Sequence, residues 1–211
     1  MLHKEPDIIL PETFELLQKL QKDEELRKFF LVGDTSLALQ IGHRLSVDLD
    51  LFSLNHIETQ SLTEYLQINY QFQLSSVGKN TIMGSIEGIK VDFLTHAYPL
   101  VREFVTEEGL RLASIEDIGA MKLNAIAHSG QRLKDFIDIF FILEQYSLNA
   151  ILEAYQVKYS NSNPIVPLKA LTYFDDLDAE EDFPLMKKKI QRKAMEKRLV
   201  AAVENPTKIF K

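Results

Sequence analysis

The chain has 211 residues, 45% apolar and 26% charged, the mixture of a folded globular protein with length for a full core. It has no cysteine, which excludes disulfides, thiol chemistry and cysteine-bound zinc. Net charge is −7, but residues 187–211 hold nine basic side chains against two acidic ones, which leaves −14 on residues 1–186. An acidic body argues against general nucleic-acid binding, whereas the basic tail permits a local phosphate contact.

An apolar series at Phe14, Leu17, Leu20, Leu26 and Phe30 predicts a helix over Pro11–Phe30. Phe29–Val32 reads as a short buried strand ending at Gly33, and Thr35–Ile41 as a short helix stopped by Gly42. Val47–Phe52 alternates apolar and charged residues, which predicts a strand with one face in the core. Glu58–Tyr70 is predicted as helix, then Phe72–Val77, Thr81–Glu87 and Ile89–Leu94 as strands, with Glu87-Gly88 as the turn between the last two. Beyond Tyr98-Pro99 the pattern becomes helical. Ser114 caps a helix to His128, Gly130 interrupts, and further helices cover Gln131–Gln145 and Leu148–Tyr159. Asn161–Pro167 reads as a loop, Asp175–Asp182, with six acids in eight residues, as an exposed turn, and Lys187–Glu204 as a basic helix. Mixed strands and helices followed by helices alone predict an α+β fold. The longest apolar run, Ile139–Leu143, is far short of the ~20 residues of a spanning helix, and Met1–Pro6 lacks the apolar core of a signal peptide. The expectation is a cytoplasmic protein with no membrane contact.

The chemistry concentrates between Leu31 and Phe52. A strand ending at Gly33, followed by Thr35 and Ser36 at a helix start, makes a phosphate cradle, because the free N–H groups and dipole of a helix N-terminus favour anions. Gly33 lets backbone approach closely. Asp48 and Asp50 lie two apart on a strand, so they share a face about 7 Å apart. Like charges held so close need a counter-charge, and a divalent ion with oxygen ligands supplies it. In Ile89–Leu94, apolar residues alternate with Lys90 and Asp92, so pairing of this strand beside Val47–Phe52 brings in a third carboxylate. Three acids around metal suit in-line displacement at phosphorus, and Asp92 can also accept the proton of the attacking hydroxyl.

Gly33-x-Thr35 followed by Asp48-x-Asp50 resembles the nucleotidyltransferase signature of the DNA polymerase β superfamily. Leu31–Phe52 is similar, more narrowly, to the AbiEii/AbiGii toxin family of type IV toxin–antitoxin and abortive-infection systems. Lys122-Leu123-Asn124-Ala125 resembles that family's Lys-x-x-Ala segment, and Arg132 to Asp138 its Arg-x-Lys-Asp-x-x-Asp segment. The resemblance spans about residues 25–145 and departs at Asp34, where the family usually has a second glycine.

The resemblance implies a mixed sheet flanked by helices, with a nucleotidyltransferase α/β core over residues 1–110 and a helical region over 111–211 packed on it. It implies Mg²⁺ or Mn²⁺ on Asp48, Asp50 and Asp92, and phosphate contacts from Gly33, Thr35 or Ser36, with Arg44 and Ser46 adding to them. It further implies that Lys122 neutralises the triphosphate and that Asp135 serves the site from the second helix. Without the family, Lys134 and Asp138 would read as an i,i+4 surface pair. The histidines (His3, His43, His56, His96 and His128) lack metal-ligand spacing, and Phe136, Phe140 and Phe141 read as helix core. The expected activity moves a nucleoside monophosphate from an NTP to a hydroxyl acceptor, RNA or the tRNA 3′ end, in a toxin opposed by a separately encoded antitoxin. Two alternatives stand beside it: a nucleotide- or RNA-binding relative disabled by Asp34, and a transferase acting on a protein or small-molecule hydroxyl.

Overall fold

The computed structural model describes residues 1–177 and 183–211, so residues 178–182 of the predicted acidic turn lie outside the description. It is an α+β fold of eight helices and a seven-stranded mixed sheet among those residues. By proximity the chain forms two compact units: residues 1–40, 45–99 and 104–113, and residues 41–44, 100–103 and 114–211.

In the first unit, helix α1 (Pro11–Lys22) has proline in its first turn and buries Leu16, Leu17 and Leu20. The helix predicted to Phe30 stops at Lys22; a 3₁₀ turn (Glu24–Leu26) follows, with Asp23 accepting the Glu25 N–H, and the chain then enters β1 (Phe30–Val32). Helix α2 (Gly33–Ile41) begins without an intervening loop. Next come β2 (Leu49–Ser53), α3 (Thr59–Tyr70), β3 (Gln73–Gly78), β4 (Thr81–Ile86), β5 (Ile89–Thr95), β6 (Val105–Glu107) and β7 (Leu110–Leu112).

The sheet order is β3-β4-β5-β2-β1-β7-β6, with β2 parallel to β5 and antiparallel to β1. Glu87 and Gly88 both have positive φ, as a two-residue type I′ turn requires. Glu108 and Gly109 repeat it between β6 and β7, a hairpin that the sequence pattern does not predict. Leu31, Leu49, Leu51, Val91 and Phe93 form the sheet's share of one core with Leu17 and Leu20 of α1 and Leu66 of α3.

The second unit holds α4 (Ile115–His128), α5 (Leu133–Ile142), α6 (Leu148–Lys158), α7 (Ile165–Ala170) and α8 (Arg192–Glu204). Ser114 caps α4 as predicted, accepting from Asp117 N–H at 3.0 Å. Asp117 is fully buried and takes hydrogen bonds from Lys158 Nζ (2.7 Å) and the Val101 and Arg102 N–H groups; burial works against its charge, but Lys158, Ser114 and the Val101 N–H outweigh it and hold the carboxyl below the usual range. The predicted loop over Asn161–Pro167 contains the start of α7, and the basic helix predicted from Lys187 begins only at Arg192. Phe136, Phe140 and Phe141 are buried, as the aromatic stripe predicts.

Candidate active site

Gly33 stands at the junction of β1 and α2 with φ +68°, and a Cβ there would lie 2.7 Å from Oδ2 of Asp50. Hydrogen in place of a side chain therefore lets the first turn of α2 press against that carboxylate. Asp50 lies opposite Val32 of β1 and beside Asp92 of β5. Register partners share a face of the sheet, so the two acids from separate segments stand side by side. Asp48 sits just ahead of β2 rather than within it, and its carbonyl oxygen accepts a short hydrogen bond from Thr35 Oγ1.

Burial, then the charge of Asp34, raises the Asp50 carboxyl from 3.8 to about 6; Asp92 and Asp48 push the same way and Lys90 opposes them. Lys90 Nζ lies 3.0 Å from Oδ2 of Asp92, and this contact holds the lysine above its ordinary value. The other oxygen of Asp92, Oδ1, is buried and has no hydrogen-bond partner among the described residues. Several carboxylates, one lysine and an orphaned oxygen form an all-oxygen donor set with too little positive charge. That chemistry fits a hard divalent cation.

The second unit carries a charged hub. Asp138 is completely buried and accepts from His43 Nε2 (2.8 Å), Arg44 Nε (2.7 Å), Arg44 Nη2 (2.8 Å) and Lys122 Nζ (2.7 Å). Lys122 Nζ also lies 2.7 Å from Oδ1 of Asp135. Burial disfavours the Asp138 charge, but Arg44 and Lys122 outweigh it and hold the carboxyl well below the usual range. Burial pushes His43 down, so the imidazole stays neutral while its Nε2 serves Asp138.

The model of the family described as nucleotidyl transferase AbiEii toxin, type IV TA system, matches residues 64–207. The chain belongs to the AbiEii nucleotidyl transferase toxin family. An uncharacterised protein of Aquifex aeolicus (strain VF5), aq_aa25, is 32% identical over 178 residues, covering 80% of this chain and 84% of that protein. Among solved structures, JHP933 from Helicobacter pylori aligns with a TM-score of 0.55 at 16% identity over 93% of this chain and 89% of its own. A candidate nucleotidyltransferase from H. pylori aligns at 0.51 and 14% identity, over 93% and 95%. Both share this fold. As an AbiEii family member the chain is a nucleotidyltransferase, and among its described residues no helix is long and apolar enough to cross a membrane.

The family match covers Asp92, Lys122 and Asp135 but begins after Gly33, Asp48 and Asp50. The structure brings Gly33, Asp48, Asp50 and Asp92 into one neighbourhood. Thr35, Ser36 and Ser46 are the residues expected at phosphate. All three are buried: Thr35 Oγ1 lies 2.8 Å from Ser46 Oγ, and Ser36 Oγ accepts from Gln40 Nε2 at 3.2 Å. These hydroxyls fix the loop ahead of Asp48 and the first turns of α2. Arg44 and Lys122, also expected at phosphate, are buried and paired with buried carboxylates. Asp135 is buried against Lys122. Asp138 is buried rather than a surface partner of Lys134, and His43, read as structural or near the site, is one of its donors. A histidine beside an arginine two residues ahead of Ser46 carries no sequence signal for a partner 95 residues away.

Proposed function

We propose that the chain is a metal-dependent enzyme that transfers a nucleoside monophosphate from an NTP to an RNA hydroxyl, the tRNA 3′ end foremost, and releases pyrophosphate. The toxin role, the separately encoded antitoxin and a cytoplasmic site of action belong to this reading and rest on the family. The observation that carries the chemistry is the side-by-side register of Asp50 and Asp92 against the Gly33 turn. Asp48, Asp50 and Asp92 would hold Mg²⁺ or Mn²⁺. Such an ion supplies charge neutralisation at the triphosphate and acidifies the attacking hydroxyl. The first-turn N–H groups of α2 offer the phosphates donors and a positive dipole end. Lys90 pairs with one oxygen of Asp92, which leaves the unpartnered oxygen to take the hydroxyl's proton.

Asp34 favours a second reading. Its charge already acts on Asp50, and a triphosphate would meet the same repulsion, as in a protein that binds nucleotide without transferring it. The deciding experiment incubates wild type and Asp48→Ala with each labelled NTP, Mg²⁺ or Mn²⁺, and total RNA or total protein. Label on RNA that disappears in Asp48→Ala is the expected result. Label on protein alone replaces the acceptor. NTP binding without label in any combination leaves the binding-only reading.

A further inference from the structure

The second unit contains a groove of about 680 Å³ that the transfer chemistry does not use. Its lining includes Phe140, Phe141 and Glu144 on one side and Lys188, Lys189 and Arg198 on the other. Arg198 is fixed: its guanidinium sits 3.7 Å from the Phe140 ring centre, donates to the Phe140 carbonyl at 3.0 Å, and lies 3.3 Å from Glu144. Lys188 also reaches Glu144 at 3.3 Å and stands 5.6 Å from the Phe141 ring centre. The run continues into α8, whose first turn has no side-chain cap and no acid but carries Arg192 and Lys193. Arg192 pairs with Glu196 at 3.0 Å.

Three cations of the lining (188, 189 and 198) thus face one acid (144), and Arg192 and Lys193 add charge in the first turn of α8, at the positive end of its dipole. Helix starts ordinarily recruit acids, because cations there oppose the dipole. Lys188 and Lys189 are exposed, so the surplus charge is presented to solvent. The volume exceeds what a lone phosphate needs and falls in the range of larger ligands. A charged ridge beside a pinned guanidinium suits a strand that offers successive phosphates.

We propose that this groove binds single-stranded RNA and is the docking surface for the acceptor strand. The inference rests on the reading of RNA as acceptor, and it adds a surface that the acid cluster does not supply. The test measures binding of a labelled oligouridylate to the full chain by fluorescence anisotropy from 50 to 300 mM salt, and NTP binding in parallel. Wild type, Lys188→Ala/Lys189→Ala and Lys188→Arg/Lys189→Arg are compared; both positions line the groove and are exposed, so folding is spared. Two lost phosphate contacts lower the slope of log affinity against log salt by about 1.4 and weaken binding roughly tenfold at 100 mM. The arginine variant restores both, and NTP binding stays unchanged. Equal RNA affinity and slope in the alanine variant overturn the proposal, as does wild-type binding to vesicles of anionic lipid without binding to RNA. Failure of NMP transfer with groove-dependent RNA binding intact removes the transferase reading and leaves the groove. Transfer to RNA that persists in an alanine variant with unaltered RNA affinity does the reverse.

Discussion

Asp50→Asn tests the acid cluster directly. Folding moves this carboxyl from 3.8 to about 6, chiefly through burial and the charge of Asp34. Between those values the folded protein binds more protons than the unfolded chain, so stability falls as pH rises through the window. Each tenfold change in proton affinity is worth about 1.4 kcal/mol, so the ionised group costs about 3 kcal/mol at pH 7.5 and about 1 kcal/mol at pH 4.5. Asparagine is nearly isosteric and does not titrate; any effect of its amide is a constant offset. The informative quantity is therefore the change in the gap between variant and wild type, about 2 kcal/mol in favour of the variant from pH 4.5 to 7.5. Urea unfolding in EDTA would show it as a shift of roughly 1 M in relative midpoint for a slope near 2 kcal/mol/M. Adding Mg²⁺ or Mn²⁺ at pH 7.5 should stabilise wild type more than Asp50→Asn. A gap that stays flat across pH refutes the claim that these acids crowd one another, and the metal argument falls with it.

Gly33→Ala places a Cβ 2.7 Å from Oδ2 of Asp50 at φ +68°, and should cost about 1–3 kcal/mol in urea unfolding. Part of that loss should disappear in a background of Asp50→Ala, because the contact is then gone. Asp138→Ala removes the buried acceptor that His43, Arg44 and Lys122 share and should cost about 3–5 kcal/mol. Asp138 is held well below the usual range, so its contribution is present above about pH 3.8 and is lost as pH falls through its folded value. The stability gap between wild type and Asp138→Asn should accordingly narrow in acid. Ser114→Ala removes the α4 cap and the bond to Asp117, a loss of about 1 kcal/mol by thermal unfolding.

What sequence can reveal tracks the range of the interaction involved. Helix α4 is legible because Ser114 and Asp117 interact three residues apart, and the β4–β5 hairpin because Glu87-Gly88 sits between two long alternating runs. The identical Glu-Gly pair at 108–109 gives no such signal, because its strands are three residues each and too short to show a period. The alternation of Asp48 and Asp50 suggests one strand, yet the chain becomes strand only at Leu49, after Thr35 has tied down the Asp48 carbonyl. That tie also explains why Thr35 and Ser46 resemble phosphate ligands in sequence but face inward: small hydroxyls suit both tasks, and only packing chooses between them. Arg44 and Lys122 pose the opposite problem. Each looks available because its acceptor, Asp138, lies in another helix, and amphipathic spacing assigns that acid to the surface.

Asp34 sets the electrostatic terms of the site. In the first turn of α2 an acid is favourable by about 0.3–1 kcal/mol, since it complements the dipole. The same end of the helix is where an anionic ligand would bind, so the residue that steadies the helix competes with the phosphate. Counted at full ionisation, Asp48, Asp50 and Asp92 against Lys90 leave two negative charges, which one divalent cation balances. The charge of Asp34, which already acts on Asp50, bears on how welcome nucleotide is there, while the register that sets Asp50 beside Asp92 is carried by the sheet and does not depend on it.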